Sequence, residues 1–360
     1  MNLFQEIVPP SQIEPKLLDL WKTLAKENKT RASLFNLIVF NHESVRTDYI
    51  RSTVQKVVSE FPCRILFISF DPSSSQSYLK TAISVVFPPG KDNSIACDQI
   101  DIGIAGKDHL ESVPSLILAH LMPDLPIYLL WTEDPVVSHP LFDPLTKLAT
   151  RVIFDSESTE DLYSFAHLVL DLKYKRSIDV ADLNWARTQG WRDLISSLFD
   201  RKEKRELLSK ISLVKLLYNE KATPSFCHLK IQSLYLLSWL TSCLKWKFQT
   251  VSPALHFQFE KTDARIESTL WEKLGPGTVI GIDLHTEDGY LLEASRIPTS
   301  YHQVKVSISS PKRCELPYLY LLGKTATGQS LVKEICTKGS STHFLSMLKT
   351  LTILDKDRRI

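Results

Sequence analysis

Glycine is scarce in this chain, 11 among 360 residues, and nowhere does it fall in a GxGxxG run. That spacing is what lets backbone N–H groups close on a pyrophosphate at a helix N-terminus. The turn after the first apolar strand reads NHESVRTD instead. GxxxxGK[ST] is absent as well, since GKTATGQS from Gly323 has lysine and glycine in the wrong order. GxSxG and HExxH are missing too, so the commonest nucleotide, hydrolase and zinc signatures all fail. The six cysteines (Cys63, Cys97, Cys227, Cys243, Cys314, Cys336) form no CxxC pair and the ten histidines are dispersed. No metal centre and no cofactor are expected from such spacings. The cysteine usage suits a reduced cytosolic protein.

Charge of one sign is lacking too. The formal net charge is +2, which leaves no basic field for nucleic acid. Long apolar runs are also missing. The most apolar charge-free stretch, Ile231 to Leu244, falls short of the ~20 residues of a membrane span. The opening MNLFQEIVPPSQIEPKLLDL has neither a basic n-region nor an apolar h-region, so no secretory signal is expected. A cytoplasmic protein without membrane or nucleic-acid partners is the expectation.

What is present is a globular composition, 43% hydrophobic and 23% charged, too long for one core. The first half alternates strand and helix. SLFNLIVF (Ser33 to Phe40) and RILFISFD (Arg64 to Asp71) flank an amphipathic helix over Glu43 to Phe61, the βαβ signature of a parallel sheet. Further strands are expected at Thr81–Phe87, Ile95–Ile104, Pro126–Trp131 and Arg151–Asp155. Ile95–Ile104 alternates Ile100, Ile102 and Ile104 with Asp101 and Gly103, which suggests a half-exposed edge. Residues 1–177 therefore read as a three-layer α/β domain with a mostly parallel sheet, closed by KYKRS at Lys173 to Ser177. Residues 178–360 read as an α+β domain. It has an antiparallel sheet with a TEDG hairpin at Thr286 to Gly289, backed by an apolar helix over Ser225 to Lys247.

Acid–base candidates are few. Asp71, Glu133 and Asp134 follow strand ends, where α/β sheets place ligands. They line either a ligand cleft or a solvated loop. With Arg64 or Arg151 as anion contacts, they would serve a sugar-phosphate-binding or sugar-phosphate-processing enzyme. The other conspicuous segment is DLNWARTQGWRD, where Asp182, Asn184, Trp185, Arg187, Trp191 and Arg192 interleave. Tryptophan and arginine dominate interface hot spots, and Asp182 suits a helix N-cap. These residues read either as a partner-binding surface or as an inter-domain seam.

DLNWARTQGWRDLISSLFD (Asp182 to Asp200), MPDLPIYLLW (Met122 to Trp131), FPCRILFI (Phe61 to Ile68) and NLIVF (Asn36 to Phe40) together resemble the glucose-6-phosphate dehydrogenase assembly protein OpcA family. The resemblance implies a non-catalytic partner that binds glucose-6-phosphate dehydrogenase and promotes its active oligomer in the oxidative pentose phosphate pathway. It also implies redox control, for which Cys63 in FPCR is the matching position. A redox pair would need two cysteines within about 7 Å between Cα atoms.

Overall fold

The structure, a computed structural model, describes residues 2–87, 95–223, 228–323 and 328–356. Residues 88–94, between the strands expected at Thr81–Phe87 and Ile95–Ile104, Cys227, the first residues of the helix expected from Ser225 and most of GKTATG lie outside them. The chain divides into two compact units, and the division does not fall at one position. Unit one comprises Met1–Asp155, Leu172–Leu183 and Ala326–Gly339; unit two comprises Ser156–Asp171, Asn184–Thr325 and Ser340–Ile360.

The elements run β1 (Asn2–Ile7), α1 (Ile13–Ala25), β2 (Thr30–Arg31), β3 (Asn36–His42), α2 (Thr47–Glu60), β4 (Arg64–Asp71), β5 (Tyr78–Val86), β6 (Ile95–Ala105), α3 (Val113–Ala119), β7 (Ile127–Trp131), α4 (Phe142–Leu148), β8 (Arg151–Phe154), α5 (Leu162–Arg176) and β9 (Asp179–Asp182). They make a nine-stranded sheet ordered β1-β5-β6-β4-β3-β7-β8-β9, with β2 beside β6. From β6 to β9 every neighbour is parallel, and β1 and β5 add antiparallel strands at one edge. The parallel strands β3, β4, β6, β7, β8 and β9 thus lie in the order third, second, first, fourth, fifth, sixth. That is the doubly wound order, whose ligand crevice opens at the carboxyl ends of its first and fourth strands, here β3 and β7.

Strands of such a sheet are covered on both faces, so they read as unbroken apolar runs; Leu37 to Phe40 of β3 are all fully buried. On one face Val54, Val57 and Val58 of α2 pack with Val39, Phe67, Val86 and Cys97. On the other, Trp21 and Leu24 of α1 pack with Val85 and Ala96. The expectation that Ile95–Ile104 forms an edge is corrected. β6 lies inside the sheet, between β4 and β5. Its polar positions are covered: Asp101 pairs with Arg51 at 2.9 Å and Tyr78 lies over Gly103.

The chain continues through α6 (Leu183–Arg187), α7 (Gln189–Leu198), α8 (Lys202–Leu208), β10 (Ile211–Asn219), α9 (Ile231–Leu244), β11 (Phe248–Val251), β12 (His256–Phe259), β13 (Asp263–Thr269), β14 (Val279–Thr286), β15 (Leu291–Ile297), β16 (Ser300–Ser310), β17 (Arg313–Cys314), β18 (Tyr318–Leu321), α10 (Gln329–Cys336) and α11 (Thr342–Leu354). Unit two is built on the sheet β11-β12-β13-β10-β14-β15-β16-β17, with β18 also on β16. It is antiparallel except for the β10–β13 pair. One face is apolar, with Val214, Leu216, Ile282, Ala294, Val304 and Val306 buried. Against it lie α9, almost wholly buried, and α11 on α9. The TEDG turn joins β14 to β15 with Gly289 at φ +81, where a Cβ would meet Pro311 at 2.8 Å.

Helix α10 belongs to unit one and packs on α2. Its N-cap, Gly328, has φ +80 and no room for a Cβ beside Lys56 and the Thr53 carbonyl. Only glycine meets both demands.

Candidate functional site

The crevice between the ends of β3 and β7 is closed by the protein itself. Three consecutive N–H groups of the β3–α2 turn, which in a dinucleotide site would face phosphate, have internal acceptors. His42 N donates to Glu133 Oε1 at 2.9 Å, Glu43 N to the Phe70 carbonyl at 2.8 Å and Ser44 N to Thr47 Oγ1 at 3.0 Å. A carboxylate thus sits where an anion would bind. Arg46, at the N-cap of α2, is tied to Asp155 at 2.8 Å.

Aromatic rings fill the space above. Phe40, two residues before the end of β3, and Trp131, the last residue of β7, stack with centroids 4.1 Å apart and planes 12° from parallel. His139, from the loop after β7, sits 4.6 Å from Phe40, 5.3 Å from Phe70 and 5.8 Å from Trp131. Its Nδ1 accepts from Leu141 N at 3.2 Å, so the ring proton resides on Nε2. Burial first, then the nearby His42, lowers its pKa to about 4, so the ring is neutral at pH 7. His42 Nδ1 lies 3.3 Å from Glu133 Oε2. This carboxylate-oriented imidazole is the nearest approach to acid–base geometry here. Sequence reasoning found Glu133 from its strand end, but nothing local marks His42 or His139.

The other cleft candidates do not join them. Asp71 accepts from Ser73 N (2.9 Å), Ser73 Oγ (2.7 Å) and Ser74 N (3.1 Å), a closed turn in which the Ser73 hydroxyl leads in lowering its pKa. Asp134 accepts from Val136 N at 3.0 Å. Arg64 and Arg151 are corrected as anion contacts for this cleft. Each is the first residue of its strand, β4 or β8, at the end opposite the crevice. Both are buried and neutralised. Arg64 holds Glu14 (2.7 Å) and Asp98 (2.9 Å), and Arg151 holds Glu334 (2.7 Å) and the Thr337 carbonyl.

The thiols of Cys63 and Cys97 are neighbours, Cys63 N donating to Cys97 Sγ at 3.3 Å. Burial pushes Cys97 up to about 11 and Cys63 up strongly, the opposite of a reactive thiolate.

The DLNWARTQGWRD segment is folded inward. Asp182 is buried as the last residue of β9, and Asn184 is buried with its Nδ2 donating to Ser156 Oγ at 3.1 Å. The helix that follows Asp182 is interrupted at Thr188, between α6 and α7. Trp185 and Trp191 are only 6% and 1% exposed. Arg192 lies 3.4 Å over the Trp185 ring and donates to the Trp185 carbonyl at 2.7 Å. Arg187 pairs with Glu157 and with Asn184 Oδ1 at 2.8 Å. Beneath Trp191 lies Arg296, at 5.6 Å, which sequence reasoning missed. Burial lowers its pKa to about 10. Of the six only Arg187 and Arg192 are partly exposed.

A doubly wound parallel sheet with a second unit on a mostly antiparallel sheet defines the two-domain Rossmann-type class, here with its dinucleotide turn closed. The fold is similar to that of an NAD-binding oxidoreductase from Klebsiella pneumoniae, at TM-score 0.50 and 8% identity over 90% of this chain and 97% of that one. At that identity the likeness speaks for fold alone.

Residues 54–168 match the family model of the glucose-6-phosphate dehydrogenase subunit N-terminal domain, and residues 178–344 that of its C-terminal domain. The chain belongs to this family, the OpcA family. Two curated relatives are each named "Putative OxPP cycle protein OpcA". The Nostoc punctiforme protein is 32% identical over 194 residues, 52% of this chain. The Synechocystis sp. protein is 28% identical over 197 residues, 53% of this chain. The matched part spans 38% of the length of each. Among the described residues no helix is long and apolar enough to cross a membrane, and no group of three or more His, Cys, Asp or Glu is placed to hold a metal ion.

Proposed function

We propose that this chain is a non-catalytic cytoplasmic partner of glucose-6-phosphate dehydrogenase that favours the enzyme's assembled, active form. The observation that carries the reading is the Phe40–Trp131 stack with His139 over it, which fills the crevice a Rossmann-type enzyme keeps for its cofactor. Family membership supports this choice of partner. A binder shifts an assembly equilibrium only by its differential affinity for the two states. About 1.4 kcal/mol of preference moves it tenfold.

Contact through Arg187 and Arg192 is part of the proposal, with Asp182, Asn184, Trp185 and Trp191 buried behind them as the support of that surface. The Trp185 indole holds the guanidinium group of Arg192 in place, and Glu157 and Asn184 hold that of Arg187.

The His42–Glu133 pair favours a second reading, an enzyme working in a remodelled crevice. Thermal shift of the isolated chain with NADP+ and with glucose 6-phosphate separates the two. A ligand at a hundred times its Kd stabilises by about 2.7 kcal/mol. The assembly reading expects no shift with either compound. A clear shift moves the assignment to the enzyme.

A further inference from the structure

Among the described residues the second face of the unit-two sheet carries no helix, and its charged side chains stand in rows without a closed ion pair. Across β13, β10, β14, β15 and β16 one row of registered positions reads Arg265, Lys215, Asp283, Glu293, Ser307. The row two residues along reads Glu267, Leu217, Gly281, Ser295, Lys305. Most of these side chains line one shallow depression of about 340 Å³, floored by the small residues Gly281, Ser295 and Ser307. Among the described residues Arg265, Lys215, Glu267, Asp283, Glu293 and Lys305 make no ion pair and no side-chain hydrogen bond. Asp283 stands between Lys215 and Glu293. The like charge of Glu293 directly opposite is unfavourable. Lys215 and His285 offset it only in part, since burial and Glu293 leave the Asp283 pKa raised. Beside β16, Leu319 and Leu321 of β18 extend the same face, 59% and 69% exposed.

The pattern is self-complementary. A two-fold axis along β14 lays β10 of one copy over β15 of the other, and β13 over β16. In the first row Lys215 then meets Glu293 of the second copy. In the second row Glu267 meets Lys305. Both off-axis charge pairs join unlike signs, and each occurs twice by symmetry, which is what an isologous contact demands. Of the charged residues, Asp283 alone meets itself on the axis. A nucleic acid or any other polyanion would be repelled by half of this surface.

We propose that the open face of the unit-two sheet is a homodimer interface, with a second copy of this chain as its occupant and Lys215–Glu293 and Glu267–Lys305 as its inter-copy ion pairs. The inference stands apart from the proposed function and needs no dehydrogenase.

Sedimentation equilibrium of the purified full chain over a micromolar concentration series tests it. The expected result is a dimer that weakens with added salt. Lys215→Glu and Glu293→Lys each weaken it by about tenfold or more, as removal of a close interfacial charge pair does. The double reversal restores it, and Asp283→Asn tightens it by relieving the like charges on the axis. Should either single variant misfold by circular dichroism, Glu267→Lys, Lys305→Glu and their double reversal carry the same test. A wild-type monomer throughout the series overturns the proposal. So does a dimer indifferent to every reversal, which places the contact elsewhere. A monomer whose reversal variants lose only a dehydrogenase complex assigns the face to that enzyme and equally overturns it.

Discussion

Phe40 and Trp131 stack at 4.1 Å across the carboxyl ends of β3 and β7, the position at which the doubly wound sheet would otherwise open to a ligand. Trp131 is fully buried and also meets Phe142 edge-on at 4.9 Å. Trp131→Ala therefore costs about 3–5 kcal/mol, the range for deleting a large aromatic from a core, read as a lower urea midpoint. The same variant does not acquire NADP+ binding by calorimetry, because the N–H groups of His42, Glu43 and Ser44 stay engaged.

His139 makes stability depend on pH. Its folded-state pKa is about 4 against 6.5 for the free side chain, with burial as the main cause. Between those values the unfolded chain binds the proton and the folded one does not. Stability therefore falls as pH drops from about 6.5 towards 4, and the group contributes no slope above that window. Burial lowers His228 in the same sense. The informative quantity is thus the difference between wild type and His139→Phe in denaturant melts at several pH values. The variant has the shallower acid slope.

Arg151 and Glu334 form a buried pair at 2.7 Å that ties α10 to the start of β8 within unit one. Glu334→Gln leaves the guanidinium buried without its countercharge, which costs about 3–5 kcal/mol. Scanning calorimetry shows a lowered transition, and the Arg151→Met/Glu334→Leu double variant recovers most of it.

Arg192 covers Trp185 and donates to its carbonyl. Arg192→Gln loses a charged hydrogen bond and a cation–π contact, about 2 kcal/mol together. It leaves a folded chain that binds glucose-6-phosphate dehydrogenase more weakly by surface plasmon resonance. Trp191→Ala is the poorer probe, since emptying a site so deeply buried acts first on folding.

Much of the architecture is written locally. NLIVF and RILFI announce strands buried on both faces, and Gln329–Cys336 and Thr342–Leu354 show their helical period along the chain. β6 does not read correctly because its alternation mimics an edge. What covers Asp101 and Gly103 is Arg51 and Tyr78, side chains from other elements. β13 is easily passed over, since Ala264 and Ile266 alternate with Arg265 and Glu267 in a segment too polar to stand out. The site is less legible still. Glu133 shows itself at a strand end, but its partner His42 lies 91 positions earlier, and no local rule joins the two. Trp185 and Trp191 are visible as residue types, yet their burial depends on Phe344 and Arg296, distant in sequence.

The central claim is tested most directly by mixing this protein with purified glucose-6-phosphate dehydrogenase and following mass by light scattering alongside NADPH production. A larger particle and a faster rate at subsaturating substrate are the predicted result. Unchanged mass with unchanged rate contradicts it.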